Sequence, residues 1–289
     1  VDKLKSAQKQ GLATILMVQN VFFPWNSSFI YSDYKTRFQD FYNAIRPYNY
    51  MISAYYVFDE PYWNNLQPNW KKNDPIKLQA NLTDAITTIQ QITQGKPTAI
   101  FFSYKEVTSN MLIPKNLNWL GFDCYVTDPN CTDSVITDYF NLIAKIKSPQ
   151  QKLIIALDSF WGGPKSPTLT DEQKVIHRIR LWQKLIVSSN QIIALFPFLF
   201  QTDSHQELWG AQSMPNVLGW LQIYYSALKG DVICSVNDLV RLDPTGKISD
   251  RWVNAPMCLP QCENNDYVRR GATGHETDRW VNAYLCIGK

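Results

Sequence analysis

Ile52-Ser-Ala-Tyr-Tyr-Val-Phe-Asp-Glu-Pro-Tyr-Trp63 is an apolar and aromatic run that ends abruptly in Asp59-Glu60-Pro61. A run of this kind, without apolar/polar alternation, is the pattern of a strand buried on both faces. Pro61 has no N–H to give to a ladder, so pairing stops there. Two adjacent carboxylates are left at the C-terminal end of a core strand, with Tyr62 and Trp63 beside them. In a barrel of parallel strands, chemistry is placed at that end. The same acids could also cap the next helix or pair with an arginine, and the rest of the chain weighs between these readings.

Composition narrows the field. The chain has 289 residues, 45% of them hydrophobic and 18% charged, which is a globular balance with room for one large domain and something small. A net charge of +3 without a Lys/Arg cluster gives no argument for nucleic acid or an anionic membrane. Ten Trp and fifteen Tyr offer flat faces with a polar edge, suited to sugar rings as well as to ordinary cores. No apolar run reaches the roughly 18 residues that span a bilayer. The first ten residues read as a polar helix and not as a signal peptide, so a processed or truncated product is expected.

Strand and helix signals alternate along the first 230 residues. Strands are expected at 12–18, 52–58, 98–103, 118–126, 153–157 and 192–200. Helices are expected at 31–46, 75–93, 134–146, 171–188 and 216–228, with a short helical stretch near 106–112. Thr170 is the expected N-cap of the helix that starts at Asp171. This βα alternation demands a parallel sheet, either a barrel or a doubly wound sheet. Six strands are two fewer than a (β/α)8 barrel needs, which points to βα units upstream of Val1 or to irregular strands. No glycine-rich turn follows the first strand, so dinucleotide and P-loop readings have nothing to stand on and no cofactor is expected. No metal site is expected either, because no His/Cys cluster has ligand spacing.

Residues 231–289 differ in kind. Cys234–Cys258 and Cys262–Cys286 are two copies of one unit at a period of 28 residues, and Asp-Arg-Trp-Val-Asn-Ala recurs unchanged at 250–255 and 278–283. Units this short need staples, so each copy is expected to be a small β element closed by its own disulfide, although four cysteines allow three connectivities. Cys124 and Cys131 would form the third bridge. Six cysteines used this way favour an oxidising compartment, outside the cell or at its surface. The duplicated Trp252 and Trp280 could bind a glycan bivalently or serve as the core of each unit.

Three expected strands end in acids: Asp59-Glu60, Asp123 and Asp158. In a barrel these ends share one rim. On these residues and this order, residues 1–230 resemble the retaining glycoside hydrolases of clan A, a group of (β/α)8 barrels. With the last strand as the eighth, the resemblance implies Glu60 as general acid/base at the end of the fourth and Asp158 as nucleophile at the end of the seventh. Asp59 stands where the family has Asn, and Asp158 is one methylene shorter than the family's Glu. Such chemistry needs one carboxyl held protonated by burial or by a neighbouring anion, which Asp59 or Asp123 could supply. Trp63, Tyr125 and Trp161 follow the acids as candidate sugar-stacking walls, and Gln201 and Asp203 follow the last strand as candidate ligand contacts. The function implied is hydrolysis of a polysaccharide or cell-surface glycan. The competing class is a carbohydrate-binding or adhesion protein on the same scaffold, without turnover.

Overall fold

The computed structural model describes residues 1–221 apart from 10, 188–190, 199–201 and 204–206. Gln201, the tandem repeats, and the pairings expected for Cys234, Cys258, Cys262 and Cys286 lie outside the described residues. Strands β1 (Thr14–Met17), β2 (Ile52–Asp59), β3 (Thr98–Ser103), β4 (Trp119–Asp123), β5 (Lys152–Asp158) and β7 (Ile192–Phe198) form one sheet in the sequential order β1-β2-β3-β4-β5-β7. The pairings from β1 through β5 are parallel. Helices α3 (Tyr34–Ile45), α5 (Pro75–Ile92), α6 (Asp133–Ile146) and α7 (Leu169–Val187) lie between consecutive strands of that sheet, as parallel crossovers require. This is the architecture of a partial (β/α)8 barrel. The rest of the described α structure is short: α1 (Asp2–Lys9), α2 (Gln19–Phe22), α4 (Pro61–Leu66) and a helical stretch over 215–221, the described part of the helix expected at 216–228.

The chain divides into two compact units. The first comprises residues 1–124, 130–156 and 191–196; the second comprises 125–129, 157–190 and 197 onward. In the first unit, one sheet face carries a buried cluster of Ala54, Tyr56, Ala99, Phe101, Ile154 and Ala156, with Ile15, Trp119, Ala194 and Phe196 packed against it. Gly121 shares this face, because a Cβ there would stand 2.2 Å from the Ile154 carbonyl oxygen and 2.9 Å from the Phe101 ring. Only glycine lets Phe101 and the β5 backbone approach so closely. The opposite face of β2 takes α3, with Phe38 edge-on to Tyr55 at 5.8 Å.

The register of β2 on β3 slips between Tyr56 and Phe58. Side chains alternate across a strand, so this bulge changes the parity of the residues after it. Tyr56 pairs with Ala99 and Asp59 with Phe101, which puts Asp59 on the face that Tyr56 occupies and sends Phe58 to the other. There Phe58 meets Phe23 edge-on at 4.7 Å.

Caps match the sequence at α5, where Asp74 accepts the N–H groups of Ile76 and Lys77 and Pro75 opens the helix. They differ at α7. Its first residue is Leu169, and the reciprocal pair at its start is Thr168 with Asp171, two residues before the expected Thr170. The helix expected near 106–112 is only a 3-10 turn over Tyr104–Glu106. Strand β1 is partly exposed, with Met17 50% exposed, and not the fully buried strand that its composition implies. In the second unit, β6 (Phe160–Gly162) and β8 (Leu208–Gly210) form an antiparallel pair. No helix among the described residues is long and apolar enough to cross a membrane.

Candidate active site

In the first unit β2, β3 and β4 end side by side, and each delivers polar side chains to one place. The parity of β3 and β4 pairs Ser103 with Asp123 at the top of the face that holds Phe101 and Gly121. The bulge brings Asp59 to the same face. Its N–H donates to Gln19 Oε1 at 3.1 Å, and the Tyr56 hydroxyl donates to Asp59 Oδ1. Glu60 comes next in the left-handed region, φ 44° and ψ 59°. A non-glycine residue there is held against a cost on the order of 1–3 kcal/mol. Its N–H donates to the Phe101 carbonyl at 3.0 Å, anchoring the turn on β3.

The Glu60 and Asp123 carboxyls hydrogen-bond to each other. Two carboxyls meet in this way when one of them carries a proton, which the upward shift of both groups favours. Burial pushes Asp123 well above the usual carboxylate range, and the charges of Glu60, Asp59 and Glu106 push it further. Burial also raises Glu60, with the Asp59 charge adding to the effect, whereas hydrogen bonds from Asp123 and Ser103 and the Lys105 ammonium oppose it. Asp59 is raised by burial too, against the Tyr56 hydrogen bond. Lys105 stands over the Trp63 ring, 4.5 Å from its centroid, so the expected stacking wall already carries a cation.

The remaining candidates belong to the second unit. Asp158 is fully buried; its Oδ2 accepts the Val126 N–H at 3.0 Å, and its Oδ1 has no hydrogen-bond partner among the described residues. Burial raises its pKa to about 7, opposed by the Arg178 charge and the Val126 bond. Tyr125 packs into an aromatic trio, 5.0 Å from Phe160 and 5.4 Å from Phe198. Trp161 pairs across β6 and β8 with Trp209 and lies under Lys174 at 5.1 Å. Asp203 exchanges backbone hydrogen bonds with Leu208 at 2.8 and 3.0 Å. The disulfide Cys124–Cys131 is formed within the first unit, directly after Asp123, with a Cα–Cα distance of 5.5 Å.

No protein-family model matches the chain, and no curated protein matches it in sequence. Solved structures do match. A fungal β-1,4-galactanase structure aligns with a TM-score of 0.50 at 11% identity, over 68% of this chain and 70% of that one. The β-glucuronidase of Bacteroides uniformis aligns with a TM-score of 0.50 at 11% identity, over 68% of this chain and 24% of that one. The chain has the barrel fold of these glycosidases. It spans less than a third of the glucuronidase chain, and at this identity the likeness is one of fold alone.

The sequence brought Asp59, Glu60 and Asp123 forward as candidates, and the structure gathers these three. It also gathers Tyr56, Ser103, Lys105 and Glu106, which the sequence reading passed over. One of them had a signal. Ser103-Tyr-Lys-Glu106 directly after a strand is a capping-box pattern, and Glu106 Oε2 does accept the Ser103 N–H, at 3.0 Å. Among the described residues no group of three or more His, Cys, Asp or Glu is placed to hold a metal ion.

Proposed function

We propose that the chain is a glycoside hydrolase acting on a polysaccharide or cell-surface glycan, with Glu60 as its proton donor. The observation that carries this is the hydrogen-bonded Glu60–Asp123 pair among further carboxyls at the strand ends of a glycosidase-type barrel. A general acid must keep its proton near neutral pH, and burial with neighbouring anions does that. Asp123 is Glu60's proton partner and not the opposing carboxyl, because the two groups flanking a scissile bond stand about 5 Å apart or more.

Asp158 is assigned the nucleophile's role in a retaining reaction. Strand order supports this, as does a carboxyl with one oxygen tied to a backbone N–H and the other not hydrogen-bonded among the described residues. The Cys124–Cys131 disulfide supports a secreted or cell-surface location, and the repeats after residue 230 are assigned attachment or glycan binding.

Glu60→Gln tests the central assignment on a panel of polysaccharides and aryl glycosides that includes β-1,4-galactan and β-glucuronides. Turnover should fall by about 10²–10⁴-fold with melting temperature preserved; full activity in this variant removes Glu60 from the mechanism. Proton NMR of the first-formed anomer tests retention. The full enclosure of Asp158 favours a second reading, a barrel that binds glycan without cleaving it. That reading predicts saturable binding, no product, and indifference to Glu60→Gln.

A further inference from the structure

Glu60 occupies the N-cap of α4 yet makes no side-chain bond to that helix. An N-cap side chain ordinarily accepts the N–H of the second or third helical residue. Here the first residue, Pro61, has no N–H to satisfy, so the donors left over are those of Tyr62 and Trp63. Both are met from another element. Trp63 N–H donates to Glu106 Oε1, and the Tyr62 N–H reaches the same carboxylate. The second oxygen of Glu106 takes the Ser103 N–H at 3.0 Å. One carboxylate at the end of β3 therefore performs the capping that Glu60 would otherwise perform, and the Glu60 carboxyl is released toward Asp123 and Ser103.

We propose that Glu106 is a positioning residue of the site, a substitute cap that holds the start of α4 to the end of β3 and frees Glu60 to face Asp123. Burial and the Glu60 charge push Glu106 well above the usual carboxylate range, and the N–H donors on its two oxygens oppose that rise and favour the carboxylate. Its charge acts on Asp123 across the cluster. This inference rests on the reading of Glu60 as proton donor, but its first two tests need no substrate.

The groups that face the Glu60–Asp123 pair are Asp59, Glu106, Lys105 and the Ser103 hydroxyl, with the Tyr56 hydroxyl on Asp59 and the backbone of Tyr62 and Trp63 on Glu106. In Glu106→Gln one acceptor becomes an NH₂ group that opposes a backbone N–H, and the charge is gone. Two changes are expected in the full chain. Carbon-13 NMR of the side-chain carboxyls should show the shared proton leaving at lower pH, by about one unit. Hydrogen exchange at the Trp63 amide should speed up by about tenfold or more.

On whatever glycan the parent cleaves, kcat should fall on the order of 10²-fold while KM changes little, because the donor is misplaced and not the binding surface. If Glu106→Gln does not fold, Glu106→Asp serves. It keeps the charge but is one methylene short of reaching both strands of contacts, so the same rise in Trp63 exchange is expected. Unchanged Trp63 exchange together with an unchanged titration overturns the proposal. Loss of both in a parent that cleaves no glycan leaves the substitute cap standing and removes the hydrolase reading instead.

Discussion

At the end of β2, Glu60 meets three further carboxyls within its own unit, whereas at the end of β5, Asp158 meets a backbone N–H and a guanidinium within the other. Both acids end an apolar strand, and both are raised by burial. They differ in what opposes the rise. Around Glu60 the neighbours are mostly like charges, which together with burial favour the protonated form of the pair. Around Asp158 the neighbours are donors and a cation, so the anion is partly compensated and the group rests near its midpoint at about 7. A strand-end acid is thus not one kind of object. The first arrangement manages a proton, and the second balances a buried charge.

The largest effect is expected where the acid cluster rests on its floor. Gly121→Ala would drive a methyl to 2.2 Å from the Ile154 carbonyl oxygen, a backbone atom that cannot step aside. We expect a loss of about 3 kcal/mol or more in denaturant unfolding, since overpacking of this kind is not relieved by a rotamer change. The Glu60–Asp123 titration should be lost with it. A variant that keeps its stability would mean that the cluster does not depend on the packed face beneath it.

Asp158→Asn addresses the other side. Unfolded, an aspartate titrates near 4; folded, Asp158 titrates at about 7. Between those values the native state holds a proton that the unfolded state lacks, so this residue makes stability fall as pH rises from about 4 to about 7, with no further change above. Urea unfolding of the parent against Asp158→Asn across that window should show the variant losing this downward slope. Equal slopes would show that the side chain is not enclosed as described.

The contrast between the two acids was only partly legible in the chain. The strands were, because continuous apolar runs such as Ile52–Phe58 and Leu153–Leu157 have few other uses in a βα alternation. That Asp59, Glu60 and Asp123 converge came from barrel geometry, once their strands were known. The bulge between Tyr56 and Phe58 was not legible, because a register slip depends on the partner strand and leaves no mark in local composition. Asp158 looked equivalent to Glu60 because its environment is built by Val126 and Arg178, which lie 32 and 20 residues away in sequence. The Thr168 cap was missed for a smaller reason: Thr168 and Thr170 both satisfy the cap preference, and only the Asp171 reciprocal bond separates them. Glu106 was legible as a capping-box residue but not as a partner of the Trp63 amide, a contact across 43 residues.

Asp123→Asn is the subtler way to test whether the two carboxyl environments differ in kind. The asparagine amide would donate permanently to Glu60 and, unlike the Asp123 carboxyl, could not take up its proton. Glu60 would then lose the partner that returns its proton and would gain a donor that favours its ionised form. Both changes lower the pH at which it deprotonates, by about one unit. For a general acid this moves the alkaline limb of the pH–rate profile downward, so activity falls at neutral pH and recovers on acidification. Stability should change little, in contrast to Asp158→Asn, where stability carries the signal. An unmoved alkaline limb would mean that Asp123 does not share the proton at all. It would then be a buried carboxyl that shares no proton with a neighbouring carboxyl, as Asp158 is, and the difference between the two strand ends would collapse.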